Sequence, residues 1–219
     1  MLHYTEIVKN EKIRTYIKEA DRSLLALGYT EHSFPHVTRV ATVAAQILHT
    51  LGRDERVCEL ARIAGYLHDI GNLVNRIAHS QSGAIMALCL LQEMNADAEE
   101  IAIITTAIGN HDEGTGVPVS DVSAALILAD KSDVRRTRVR NEDPASFDIH
   151  DRVNYSVTAS DLMTDLEEGT VTLSLTVDTA YGSVMDYFEI FLDRMLLCRK
   201  AAERLKLTFK LLINGQSLV

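Results

Sequence analysis

Residues 59–71 read ELARIAGYLHDIG: an apolar stretch with helical spacing that runs into the pair His68-Asp69 and stops at Gly71. An imidazole and a carboxylate at the end of a buried helix are costly unless each finds a partner. This pair therefore constrains the fold more than any other feature, because the helix must end where other polar side chains converge. The candidate partners are spread along the chain. His36 follows Pro35, which suits the first turn of a helix. His79 lies in RIAHSQSG, read as a loop, and His111 ends TTAIGNHD. Asp130 interrupts the apolar run ALILADKSD, where a lone carboxylate argues for a cation beside it. Most of these residues fall at predicted helix ends, so they can meet in one cleft. Imidazole nitrogens with carboxylate oxygens suit several divalent ions, iron, manganese, zinc, nickel and magnesium among them. A carboxylate that bridges two such ions lets them clamp a phosphate and acidify a water between them.

The rest of the chain supplies a helical frame for that cleft. Apolar spacing predicts helices over residues 10–27, 36–51, 55–67, 82–94 and 98–109, and one from Ser120 or Asp121 through VSAALILADKSDVRRTRVR. DEGTGVPVSD, with two glycines and a proline, reads as a loop. After Pro144 the pattern changes. VNYSVTAS and TVTLSLTVD are rich in Val and Thr and read as strands, flanking DLMTDLEEG as a polar turn. A long amphipathic helix near 181–205 and a third strand in LTFKLLING follow. The expected architecture is mainly α: a helical metal-binding domain over residues 1–143, then a small β-β-α-β unit over 144–219. Absence of Trp and few aromatics leave the core to Leu, Ile, Val and Ala. The face carrying Met185, Phe188, Phe191, Leu192 and Met195 is assigned to core packing, with a homodimer through the C-terminal unit as the alternative.

A net charge of −9 disfavours nucleic acid and anionic membrane surfaces as partners. Cys58, Cys89 and Cys198 are odd in number and widely spaced, unlike a disulfide framework, and no apolar run approaches a membrane span. With no apolar leader in MLHYTEIVKNEKIR, a cytoplasmic location is expected.

The order His36, then His68-Asp69, then Asp130 resembles the HD-domain superfamily of metal-dependent phosphohydrolases, over roughly residues 30–140. That resemblance implies an all-α bundle. It also implies one metal held by His36, His68, Asp69 and Asp130, with Asp69 bridging to a second held by His79 and His111. In motif the chain is most similar to the symmetrical diadenosine-tetraphosphatase branch, through HDIG, AHSQSGA, NH and ILAD. Asn72 stands where that branch carries a phosphate-binding lysine, and Arg76 replaces it if its loop folds back. Asp69 is then a catalytic group as well as a ligand. In the basic run KSDVRRTRVR, Lys131 and Arg135 or Arg136 are the candidates to hold substrate phosphate, since a guanidinium fork matches phosphate oxygens. The expected function is hydrolysis of a nucleotide or other small phosphate ester by a metal-activated hydroxide. The alternatives are a dinuclear-iron oxygenase with the same ligands and a non-catalytic nucleotide sensor. His3, His32, His49 and His150 are read as surface histidines.

Overall fold

The computed structural model describes residues 1–218, and helices dominate it. In chain order the helices are α1 (Tyr4–Lys9), α2 (Glu11–Ala26), α3 (Phe34–Thr50), α4 (Glu55–Leu67), α5 (His79–Glu93), α6 (Ala98–Gly109), α7 (Asp121–Lys131), α8 (Ile149–Ser156) and α9 (Val184–Arg204). The strands are β1 (Val157–Asp165), β2 (Thr170–Val177), β3 (Thr208–Ile213) and β4 (Gln216–Ser217).

Helix α7 is the axle of the bundle. Every residue from Val122 to Ala129 is buried, because α3, α4, α6 and α9 pack around it. A helix apolar on all sides is stable only in such a position. Helices α3 and α4 meet especially closely. A Cβ on Gly65 would lie 2.7 Å from the Ala41 Cα, so only glycine there lets α4 seat against α3. That seating carries His68 to the same end of the bundle as His36.

The sheet has the order β1-β2-β3-β4 among the described residues. β1 and β2 pair antiparallel, β2 and β3 parallel, β3 and β4 antiparallel. The parallel register sets Val171 beside Phe209, Leu173 beside Leu211 and Leu175 beside Ile213. All six are buried on one face, and α9 packs on the sheet. The same α9 packs on α7, so the apolar core is continuous across residue 143.

Four local expectations are corrected. The helix starting at Asp121 stops at Lys131 rather than running through VRRTRVR. The chain turns out at Ser132, whose carbonyl accepts from Ser160 Oγ at 2.5 Å, and this aims the Asp133 carboxylate at His36. Lys131 and Arg135 therefore do not share a helical face. Val153–Ser156 end α8 instead of starting a strand, because Asp148 caps that helix by accepting from Asp151 N at 2.7 Å. DLMTD continues β1, and the turn follows at 166–169, where Asp165 Oδ1 accepts from the Glu167 and Glu168 amides. His79 is the first residue of α5 rather than a loop residue. On α9, Phe191 and Met195 are buried, whereas Met185 and Leu192 are 75% and 50% exposed. No described helix is long and apolar enough to cross a membrane.

Candidate metal centre

Helix ends build the site. His36 lies in the first turn of α3, His68 caps the end of α4, and Asp69 follows it at the start of a short 3-10 turn. His79 opens α5, His111 follows the end of α6, and Asp130 lies in the last turn of α7. The structure brings all six together. His36 Nε2 and His68 Nε2 lie 3.3 Å apart. Asp69 Oδ2 is 3.4 Å from the first and 3.2 Å from the second, and Asp130 Oδ1 is 3.4 and 3.5 Å from them. The other oxygen of Asp69 turns the opposite way, 3.5 Å from His79 Nε2. His79 Nε2 lies 3.2 Å from His111 Nε2. Asp69 thus stands between two groups of nitrogens, with one oxygen toward each.

Each ring is held from behind. His36 Nδ1 bonds Asp133 Oδ2 at 2.8 Å, His68 Nδ1 the Gly65 carbonyl at 2.8 Å, His79 Nδ1 the Arg76 carbonyl at 3.1 Å, and His111 Nδ1 the Ile108 carbonyl at 2.6 Å. A proton on each Nδ1 leaves every Nε2 with its lone pair pointing into the cluster, the arrangement metal-binding imidazoles require.

The electrostatics point the same way. Burial alone would lower the His68 imidazole, yet Asp69 and Asp130 push it up to about 10. Burial and Arg138 oppose protonation of His36, but bonds from Asp130, Asp133 and Asp69 raise it. Burial would raise both carboxyls. Instead His68 and His36 hold Asp69 well below the usual range, and Lys131 with those two histidines does the same for Asp130. Two buried carboxylates are thus balanced by protons on imidazoles. A divalent cation can take the place of those protons, and its binding then releases them. His111 is pushed down to about 3 by burial and the neighbouring His68 charge, which keeps it a neutral donor. The donor set fits a metal centre.

The basic run is distributed differently from the expectation. Lys131 Nζ sits 2.7 Å from Asp130 Oδ2 and donates to Glu113 Oε2 at 2.9 Å, so it neutralises the outer oxygen of Asp130. Arg135 grips both oxygens of Asp133, at 2.5 and 3.0 Å, and so acts on His36 through that carboxylate. Arg136 turns away to the Tyr155 carbonyl at 2.6 Å and Asp178 Oδ2 at 3.1 Å. Arg76 does fold back: its Nη1 donates to Asn72 Oδ1 at 3.3 Å and lies 3.4 Å from His79 Nε2. Asn72 itself donates through Nδ2 to Asp69 Oδ1 at 3.0 Å and steadies the carboxylate.

Beside the centre opens a pocket of ≈ 480 Å³ whose walls include His32, Arg76, Glu113, Arg138 and Arg194. His32 is not a plain surface residue: its ring centroid lies 5.4 Å from that of His36, and burial with the Arg138 charge holds it well below its ordinary range. The signal for it was its place four residues before His36. Asp133 was hidden by reading its segment as helix. Glu113 and Arg194 carried no sequence signal, because their bond of 2.8 Å joins residues 81 apart.

Glu113 makes a stability prediction. Burial would raise its carboxyl, but Lys131 and Arg194 hold it far below the usual range. A carboxyl depressed by folding contributes stability that is complete above its unfolded pKa, near 4.5, and is lost as pH falls below it. Glu113→Gln is expected to cost about 2 kcal/mol at pH 7, since it leaves Arg194 without a carboxylate partner and Lys131 with Asp130 alone in a partly buried place. The cost shrinks toward pH 3. Urea midpoints at both pH values test this, and equal midpoints at pH 7 would contradict it.

Residues 34–136 match the family model of the HD domain. The chain is 29% identical over 160 residues to an uncharacterized protein of Methanocaldococcus jannaschii, covering 63% of this chain and 61% of that protein. It is also 29% identical over 126 residues to ribonuclease Y of Geobacillus thermodenitrificans, covering 58% of this chain but 23% of that enzyme. A crystal structure described as a predicted HD superfamily hydrolase, from an uncultured Thermotogales bacterium, has a TM-score of 0.46 at 26% identity. It covers 61% of this chain and 75% of that one. The diadenosine-tetraphosphatase branch is an expectation of the motif order alone.

Proposed function

The chain is an HD-domain protein, and on that premise we propose that it is a metal-dependent phosphohydrolase acting on a nucleotide or other small phosphate ester. The observation that carries this reading is Asp69, whose two oxygens face two groups of inward-pointing Nε2 atoms. Two divalent cations held there would supply Lewis acidity toward a phosphate oxygen and toward water. The residues of the chain do the remainder. His36, His68, Asp69 and Asp130 form one half of the cradle, and His79, His111 and Asp69 the other. Asp133, itself gripped by Arg135, fixes the His36 ring. Lys131 keeps Asp130 ionised. Arg76, with Nε and Nη2 bonded to no group among the described residues, is placed to meet a phosphate oxygen at the edge of the pocket.

Ribonuclease Y names RNA as the substrate of one relative. For this chain the net charge of −9 favours a small ester over a polyanion.

The test is metal content per chain together with turnover of phosphate esters. Wild type is expected to hold two equivalents and His79→Ala about one, because His79 belongs to a single half of the cradle. Retention of two metals in that variant would remove His79 from the ligand set. Metal-dependent oxygen consumption without phosphate release would replace the hydrolase by the dinuclear-iron oxygenase. Metal and nucleotide binding without either activity would leave the sensor.

A further inference from the structure

The pocket beside the centre is lined by two chemically different sets of residues. Arg76, Arg138 and Arg194 are donors. Asp151 and Asn154, from α8 outside the HD-matched residues, bring acceptors. These two are only 9% and 6% exposed. Asn154 Nδ2 donates to the His150 carbonyl at 2.9 Å, while its Oδ1 accepts from no group among the described residues. The Asp151 carboxylate receives a bond of 3.3 Å on Oδ2 from Asn141 and a further one from the Asp148 backbone N–H. Both side chains line the pocket, and the Asn154 Oδ1 is open to it rather than sealed in the core. An acceptor held in place at a pocket wall marks where a ligand's donor belongs.

We propose that α8 is the recognition wall for the organic part of the substrate. The substrate is a phosphate monoester whose alcohol carries hydroxyl or amino hydrogens. Its phosphate lies against Arg76 and the centre, and its hydroxyl or amino groups donate to Asp151 and Asn154. The inference rests on the hydrolase reading and adds the class of ester. The charge of the walls limits that class, because a second phosphate on the far side would meet Asp148 and Asp151. The volume suits a molecule of drug-like size. In the reaction a bond forms between water oxygen and phosphorus, the bond from phosphorus to the alcohol oxygen breaks, and the alcohol leaves with a proton from water. Asp151 and Asn154 touch neither bond, so they determine specificity. Sugar phosphates and nucleoside monophosphates share this chemistry. Tyr29, 43% exposed at the pocket and with the Arg76 guanidinium over one side of its ring, leaves its other side as a flat surface for a nucleobase that a sugar would not use.

The experiment is calorimetric titration of the full chain, as purified, with non-hydrolysable phosphonates: methylphosphonate, ribose 5-phosphonate, and the 5′-phosphonates of the four nucleosides. The ribose or a nucleoside compound is expected to bind at least about tenfold tighter than methylphosphonate, a difference of about 1.4 kcal/mol. Ribose and nucleoside compounds binding alike identifies a sugar phosphate. A nucleoside compound binding tighter, with the excess lost in Tyr29→Ala, identifies a nucleotide. Asp151→Asn and Asn154→Leu should reduce the margin to under about threefold and leave methylphosphonate binding unchanged. Deoxy analogues should lose the margin on the unaltered protein, which keeps the test independent of how the variants fold. Equal affinity for all the phosphonates, or a margin that survives in the deoxy compounds, overturns the proposal. Turnover of p-nitrophenyl phosphate on the same preparation separates the two readings. Selective binding without turnover sinks the hydrolase, and turnover without selective binding sinks the recognition wall.

Discussion

Asp69→Asn should lower turnover of any phosphate ester by about a thousandfold or more, equivalent to a barrier increase of about 4 kcal/mol. Among the described residues Asp69 alone places an acceptor oxygen toward each group of imidazoles, within 3.2–3.5 Å of three Nε2 atoms. The amide keeps the shape, but it replaces one oxygen with a donor and removes the charge that balances His36 and His68. Asn72 Nδ2, which donates to Asp69 Oδ1, would then face an NH₂ group if the amide took the other orientation. Either orientation disables one half of the cradle. Elemental analysis should show metal falling below the wild-type content. An Asp69→Asn protein with wild-type metal content and turnover would remove the bridging carboxylate from the mechanism.

Gly71→Ala should destabilise the fold by about 3 kcal/mol, the upper range for forcing an extra carbon into a packed site. The added Cβ would fall 2.0 Å from the His79 carbonyl oxygen and 2.4 Å from the Gly83 nitrogen. Both are backbone atoms at the start of α5, so no side-chain rotation relieves the clash. The start of α5 must move, and His79 moves with it. A fall in the midpoint of thermal unfolding of roughly 6–12 °C follows for a chain of this size. If two metals are held as proposed, the one on the His79 side should be lost along with the stability. Gly109→Ala is the control, since its Cβ would meet Ala84 at an ordinary 3.5 Å. Equal melting of Gly71→Ala and wild type would mean that the turn after Asp69 is more compliant than its contacts indicate.

The helical frame was legible because its signals are local. Apolar spacing and caps placed α4 and α6 closely, and Pro35 marked the start of α3. The clustering of the six histidines and carboxylates was legible because a polar residue at the end of an apolar helix has few inexpensive explanations. The basic run was less so. Arg135 and Arg136 were counted by charge, but charge does not say which carboxylate a guanidinium will reach. Asp133 sits beside Arg135 and takes it, while Asp178, 42 residues from Arg136, takes the other. Arg194 and Asn154 reach the pocket through tertiary folding alone. The strand predicted at VNYS lost to a helix because Asp148 supplied a cap, a local signal outweighed in the reading by Val and Thr content.

The parallel pairing of β2 with β3 has a consequence for the order in which the molecule assembles. Parallel neighbours require a crossover, and here the 21-residue α9 is that crossover. The sheet therefore closes only once α9 is docked, and docking α9 is what delivers Arg194 to Glu113. Pairing between distant segments is slow to form. All six residues of the cradle lie between α3 and α7, whereas Arg194 enters the pocket only with α9. A lesion in β3 should accordingly loosen the Arg194–Glu113 pair first, and with it the α9 side of the pocket.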